Sequence, residues 1–367
     1  MSYARDVSEK ILKALSRYYN ESNRLKISSA HLSGVSYDNI GDEGLSFLRD
    51  MSRDGKFSVY TTVNPMGADI YDNLFGIDDQ FIIRQREIAE SLLKLGAVES
   101  FTCTPFEYFN IPPPGSHVSW AESSAVVYAN SFLDISTNKE SSLSALSSAI
   151  LGETIYSGLH YEYNRIPSVN FKIGSFADEV EAGLYAYRIA KLVDEPFSIT
   201  TEAYLTSLMK KSFSGALGAI GNVSLFSINK PTPTSYQIGL DDVRSEFMEL
   251  STGESGEVII LGCPHWNHKE IESFVSMLGQ KCLKKDCIIA CYRGAYRKVM
   301  AHFSAKILNK KRIFFFKGAC PIFSPLLKKL GVKTVVTNSV KAAHYYKLRG
   351  IRVNLKNLKR IIESEVE

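Results

Sequence analysis

The chain has 367 residues, 43 basic against 39 acidic, and 45% hydrophobic residues. So even a charge balance, with no basic stripe interleaved with aromatics, gives no footing for nucleic-acid binding, and no apolar run approaches the roughly 20 residues that span a bilayer. Six cysteines without a secretory signal point to a reducing interior, where they are free, catalytic or metal-binding, so a soluble cytoplasmic protein is expected.

In chain order, "MSYARDVSEKILKALSRYYNES" reads as an amphipathic helix. "LKISSAHLSGVSYDNIG", rich in Ser and Gly, reads as loop. "KFSVYTTVN" is β-branched and aromatic, hence a strand, and breaks at "NPMG". "DDQFIIRQREIAESLLKLGA" has helical spacing and closes on Gly96. The strand-like "VESFTCT" and the loop "IPPPGSH" follow. "SWAESSAVVYANSFL" then reads as a helix with Ser119 as cap and Glu122 at the capping-box position. "SVNFKIGSF" and "EPFSITT" read as strands, with helical patterns between them. From about residue 240, strands apolar on both faces ("GEVIILG", "DCIIACY", "RIFFFKG", "KTVVTN") alternate with helical segments. Such alternation predicts an α/β fold whose parallel sheets are covered by helices on both faces. The chain divides near residue 240 into an N-terminal α/β part, 1–240, and a Rossmann-like C-terminal part, 241–367.

Three cysteines share one local setting. Cys103 in "TCTP", Cys263 in "VIILGCP" and Cys320 in "FFFKGACP" each follow a strand-like run and precede a proline. Open α/β sheets bind ligands outside the carboxyl ends of their strands, which is where these thiols fall. Three packing cysteines that happen to precede loops satisfy the same pattern. Wide separation excludes a zinc ribbon. Cys282, Cys287 and Cys291 form a rival trio, but Cys287 and Cys291 bracket the apolar "IIA" and read as core. The loop "SSAHLSGVSY" can aim backbone N–H groups at an anion, and otherwise is a surface turn. Asn64–Pro65 is another strand-end turn. Lys341 opens a helix, where it is either a solvated lysine or an anion anchor. His31, His117, His265 and His344 lie near these loops and are weak signals singly. The absence of G-x-x-x-x-G-K, G-x-G-x-x-G, H-E-x-x-H and G-x-S-x-G removes the usual support for nucleotide, zincin and hydrolase readings.

Taken together, "ISSAHLSGVSYDNIGDEGL", "TTVNPMGAD", "TCTPF", "HVSWAESSAVVYANS", "LGCPH" and "TNSVKAAHY" resemble the large subunit of the aconitase X family, over about residues 27–346. The resemblance implies an aconitase-like fold and a hydro-lyase carrying a 4Fe–4S cluster with one open iron. Its ligands would be Cys103, Cys263 and Cys320. Gly34, Val35, Ser36, Asn64, Pro65, Glu122, Ser123 and Lys341 would face the substrate, with Glu122 and Ser123 catalytic. A raised pKa would let Glu122 protonate the departing hydroxyl.

Archaeal two-subunit members dehydrate mevalonate 5-phosphate to trans-anhydromevalonate 5-phosphate, a step of isoprenoid biosynthesis, and that is the implied reaction. Other members dehydrate cis-3-hydroxy-L-proline, so an unphosphorylated hydroxy acid is the rival substrate. A non-catalytic α/β protein or a redox carrier is the rival class. No residue here suggests itself as the base, so a separate small subunit with a swivelling domain and a serine base is expected. Lys139 in "ISTNKES" stands where the family pattern leads one to expect an arginine, which would turn a bidentate carboxylate clamp into a point charge.

Overall fold

In the computed structural model, which describes residues 2–367, the N-terminal part is built on a short parallel sheet. Strands β1 (Arg24–Lys26), β2 (Ser29–Leu32), β3 (Tyr60–Val63), β4 (Ser119–Trp120) and β5 (Glu153–Ile155) come first in the chain. β2 is central, flanked by β3 and β4, while β1 and β5 pair as a separate antiparallel ribbon. The segment read as loop is therefore the middle strand of this sheet. Its residues are buried without alternation, and its polar side chains carry no strand signature. It leads into the helix Tyr37–Asp54, capped by Ser36.

The polar run "VESFTCT" is not a strand. It follows β3 in an irregular path, with Val98 and Thr102 donating to the Thr61 and Val63 carbonyls and Phe101 at φ 34°. Ser119 is not a cap but part of β4. Glu122 caps the helix Ser123–Phe132 itself, accepting from the Ala125 N–H at 2.6 Å.

The second sheet comprises β6 (Val169–Lys172), β7 (Phe197–Thr200), β8 (Phe226–Ile228) and β9 (Thr234–Gln237), all parallel, in the order β8-β7-β6-β9. The boundary proposed near 240 falls between β9 and the helix Leu240–Leu250.

The C-terminal sheet holds β10 (Val258–Trp266), β11 (Cys287–Cys291), β12 (Ile313–Lys317), β13 (Thr334–Thr337) and β14 (Arg352–Leu355). Their order is β12-β11-β10-β13-β14, all parallel, so the chain reverses its winding between β10 and β13. In doubly wound sheets that switch point opens the crevice where ligands bind. β10 runs on past the expected stop through Cys263 and Pro264, with an irregularity in its pairing between Leu261 and Trp266. The strands are buried on both faces and share an apolar core with the second sheet, in which Phe171, Phe213, Val335 and Val340 take part. Among the described residues no helix is long and apolar enough to cross a membrane.

Candidate active site

The carboxyl ends of the first and third sheets face one cavity of about 250 Å³. β2 ends into Ser33–Ser36, β3 into Asn64–Pro65 and β4 into Ala121–Ser123, while β12 leads to Cys320 and β13 to Lys341. All three cysteines of the strand-end set line this cavity, together with Gly34, Val35, Ser36, Asn64, Pro65, Glu122, Ser123 and Lys341. A hydrogen-bonded link joins the two sheets: Met66 donates to the Gly318 carbonyl and Cys320 to the Met66 carbonyl, at 2.9 and 2.8 Å. The Asn64–Pro65 turn and the Cys320 turn are thus fixed to each other. Cys287 and Cys291 lie fully buried in β11, as core residues, and Cys282 is outside the cavity lining.

Each of the three thiols faces a donor. The His265 N–H reaches Cys103 Sγ at 3.2 Å. The Ser339 hydroxyl acts to lower the Cys263 thiol, and the N–H groups of Ile322 and Phe323 act to lower the Cys320 thiol. Burial pushes all three thiols up, Cys263 to about 12, so each stays protonated unless a metal takes the proton's place. Inward donors with no anion to serve are the arrangement that stabilises metal-bound sulfur. Among the described residues no three Cys, His, Asp or Glu side chains gather on one point as a single ion requires. Three thiols on separate segments around one cavity are residues that could hold a group with several metal atoms.

The same cavity is lined by a buried ion pair. Lys341 Nζ is 2.6 Å from Glu122 Oε1 and 2.7 Å from Ser124 Oγ, with Ser123 Oγ at 3.3 Å. Burial acts to raise the Glu122 carboxyl, but Lys341, the Ala125 N–H and the Ser124 hydroxyl outweigh it and hold its pKa below the usual carboxylate value. This reverses the expected raised pKa: the sequence shows Glu122 but not the ammonium pressed against it. Burial likewise acts to lower Lys341, and Glu122 overrides it, so the proton rests on Lys341 Nζ.

Gly34, Val35 and Ser36 form one part of the cavity wall. Among the described residues none of their N–H groups has a protein acceptor. Gly34 has φ +70°, and a Cβ there would sit 2.6 Å from Ser142 Oγ. Only glycine takes that backbone and leaves the wall in place.

Three buried side chains beside the site gave little signal in the sequence. His31, fully buried, bonds Thr62 Oγ1 through Nδ1 and Asn64 Oδ1 through Nε2, both at 2.8 Å, and so aims Asn64. His265 bridges the cysteine segments. Lys211, buried in the helix Ser207–Ile220, binds the His265 carbonyl at 2.6 Å and Glu270 at 2.7 Å. Lys139 does not reach the cavity lining: its ammonium caps the helix Ser207–Ile220 through the Gly218 and Gly221 carbonyls, at 2.8 and 2.9 Å. His117 pairs with His160 instead, and His344 with Tyr187, at 3.0 and 3.3 Å.

Comparison with known proteins agrees with this fold. Residues 2–163 match the aconitase X first domain, and residues 256–367 the aconitase X third domain. The phosphomevalonate dehydratase large subunit of Thermococcus kodakarensis is 33% identical, the match covering 99% of this chain and 95% of the relative. That of Methanocaldococcus jannaschii is 34% identical over 91% of this chain and 89% of its own length. The crystal structure of Thermococcus kodakaraensis aconitase X in its holo-form superposes with a TM-score of 0.90 at 30% identity, covering 99% of this chain and 96% of that one.

Proposed function

The chain belongs to the aconitase X family, and from that premise we propose that it is the large subunit of a phosphomevalonate dehydratase. In this reading it is a hydro-lyase that removes water from mevalonate 5-phosphate to give trans-anhydromevalonate 5-phosphate. The observation that carries the reading is one cavity lined by three donor-facing thiols, a buried Lys341–Glu122 pair and unpartnered N–H groups.

Cys103, Cys263 and Cys320 would hold a 4Fe–4S cluster. When bound, it would supply one iron free of protein ligands, a Lewis acid for the departing hydroxyl and the neighbouring carboxylate. The N–H groups of Gly34, Val35 and Ser36 hold an anionic end of the substrate, the phosphate in this reading. Asn64, aimed by His31, orients the substrate through its side-chain amide. The reaction removes a proton from the carbon beside the carboxylate, which passes to the base, and hydroxide from the next carbon, which leaves as water once a second proton reaches it. The proton for the hydroxide starts on Lys341 Nζ and reaches it through the contacting Glu122 carboxylate or Ser123 hydroxyl. Proton abstraction falls to a small subunit, whose serine would be the base and whose docking would exclude water.

The test is anaerobic turnover by the reconstituted chain, with and without a candidate small subunit, on mevalonate 5-phosphate and on cis-3-hydroxy-L-proline. Dehydration of the phosphorylated substrate by the complex alone supports the reading. Turnover of hydroxyproline in its place moves the chain to another activity of the same family. Serine at Cys103, Cys263 or Cys320 should each abolish iron retention, whereas alanine at Cys287 or Cys291 should not.

A further inference from the structure

His265 touches all three cysteine segments at once. It lies two residues after Cys263 on β10. Its backbone N–H donates to Cys103 Sγ at 3.2 Å. Its ring Nε2 lies 3.0 Å from the carbonyl of Ala319, the residue before Cys320, so Nε2 carries the hydrogen. Lys211 grips the same residue from behind, donating to the His265 carbonyl at 2.6 Å. That ammonium also meets Glu107 at 3.2 Å, in the turn that follows Cys103, and Glu270 at 2.7 Å. We propose that His265 is a positioning residue that staples the three cysteine segments into one ligand set, with Lys211 clamping its backbone.

The chemistry of the ring supports this over simple packing. His265 is 2% exposed, and its Nδ1 has no hydrogen-bond partner. A buried lone pair without a donor carries an uncompensated desolvation cost. An apolar side chain would fill the space without that cost, but it could not hold the Ala319 peptide. Lys211 is likewise an expensive way to fill a core, since a buried ammonium must be matched by partners. Its partners lie just after two of the cysteines, so fixing them fixes the thiols.

The inference rests on the reading of these thiols as ligands of one iron–sulfur group, and its test separates the two. Four full-length variants are needed: His265→Phe, which removes the donor; His265→Gln, which keeps an N–H near the Nε2 position; Lys211→Met; and Lys311→Met. Lys311 serves as control, being 8% exposed and bound to the Gly279 and Lys281 carbonyls, outside the cavity lining. The first readout is the reaction rate of the thiols with Ellman's reagent in the folded, metal-free chain. The second is the rate at which a chelator strips iron from the reconstituted chain.

His265→Phe and Lys211→Met should speed both, iron loss by about tenfold or more, the usual cost of removing an outer-shell partner. His265→Gln and Lys311→Met should stay near the parent. Parent-like rates in folded His265→Phe, or equal acceleration in Lys311→Met, overturn the staple. Should His265→Phe not fold, Lys211→Met decides, and parent-like thiol rates there overturn it equally. A parent chain that holds no iron defeats the cluster reading instead, while the thiol rates still judge the staple.

Discussion

The ammonium of Lys341 lies 2.6 Å from the carboxylate of Glu122, and both side chains are at least nine-tenths buried, at 10% and 6% exposed. Two strand ends from different sheets deliver them, so the pair joins the first and third sheets across the cavity. Lys341→Met leaves a buried carboxylate that must either stay unpaired, at about 3–5 kcal/mol, or take up a proton. The double variant Lys341→Met, Glu122→Gln should recover much of that stability, measured by denaturation of the metal-free chain, because the two changes are coupled. Turnover should stay down by about a hundredfold or more in Lys341→Met, in Glu122→Gln and in the double variant, the usual weight of a proton-transfer group. Losses of stability that simply add would show that the pair is not coupled.

Gly34→Ala should act on substrate binding. The new Cβ meets Ser142 Oγ at 2.6 Å in a backbone of φ +70°, so the wall of N–H groups must shift. A shift that costs 1.4 kcal/mol of binding raises KM for a phosphorylated substrate about tenfold. Adding Ser142→Ala, which removes the Oγ contact but neither the strained φ nor the 3.2 Å approach of the Cβ at 142, should restore part of the loss. Identical KM values for the single and double variants would place the effect elsewhere.

How far the sequence disclosed this site follows from what each residue contacts. Cys263 and Cys320 are legible because apolar strands run straight into them and a proline follows, the pattern of an open α/β sheet. β2 is illegible because its polar residues are satisfied inside the core: His31 bonds Thr62 and Asn64, and the Trp120 indole donates to Ser29 at 3.4 Å. Hydrophobic periodicity has no access to such pairings. Lys211 sits in "LMKKSF", where a lysine reads as a surface residue, and its two carboxylate partners are remote in the chain. The ionised state of Glu122 fails for the same reason, since Lys341 arrives from another sheet.

Lys139 offers a contrast between a substrate clamp and a helix cap. Its ammonium bonds the terminal carbonyls of the helix Ser207–Ile220, and that helix also carries Lys211 and packs Gly218 against the Ser123 backbone. Lys139→Met should cost about 1–2 kcal/mol of stability, the worth of a partly buried cation at a helix C-terminus. KM should be unchanged. A raised KM at unaltered stability would return Lys139 to the substrate.

The buried histidines set an acid limit on the fold that is separate from catalysis. Burial pulls His31 down to about 4 and His160 to about 3, and both are at most 1% exposed. Both folded values lie below the unfolded value of about 6.5, so folding favours the neutral rings. Above about pH 6.5 both rings are neutral in either state, and their contribution to stability is fully present. As pH falls from there towards 4, the unfolded chain binds a proton at each site that the folded chain refuses. These two protons alone give a slope approaching about 2.7 kcal/mol per pH unit, with stability falling as acid is added, and His265, which burial also pulls down to about 4, adds to it. Glu122 contributes little between about pH 7 and pH 5, because a depressed carboxylate loses its contribution from the ordinary carboxylate value downwards. Urea unfolding of the metal-free chain between about pH 7 and pH 5 measures the slope, and His31→Gln should reduce it by about 1.4 kcal/mol per pH unit. A slope that His31→Gln leaves unchanged would mean that the His31 ring already takes up its proton in the folded chain. The Thr62–His31–Asn64 chain of hydrogen bonds would then not be held by a neutral imidazole.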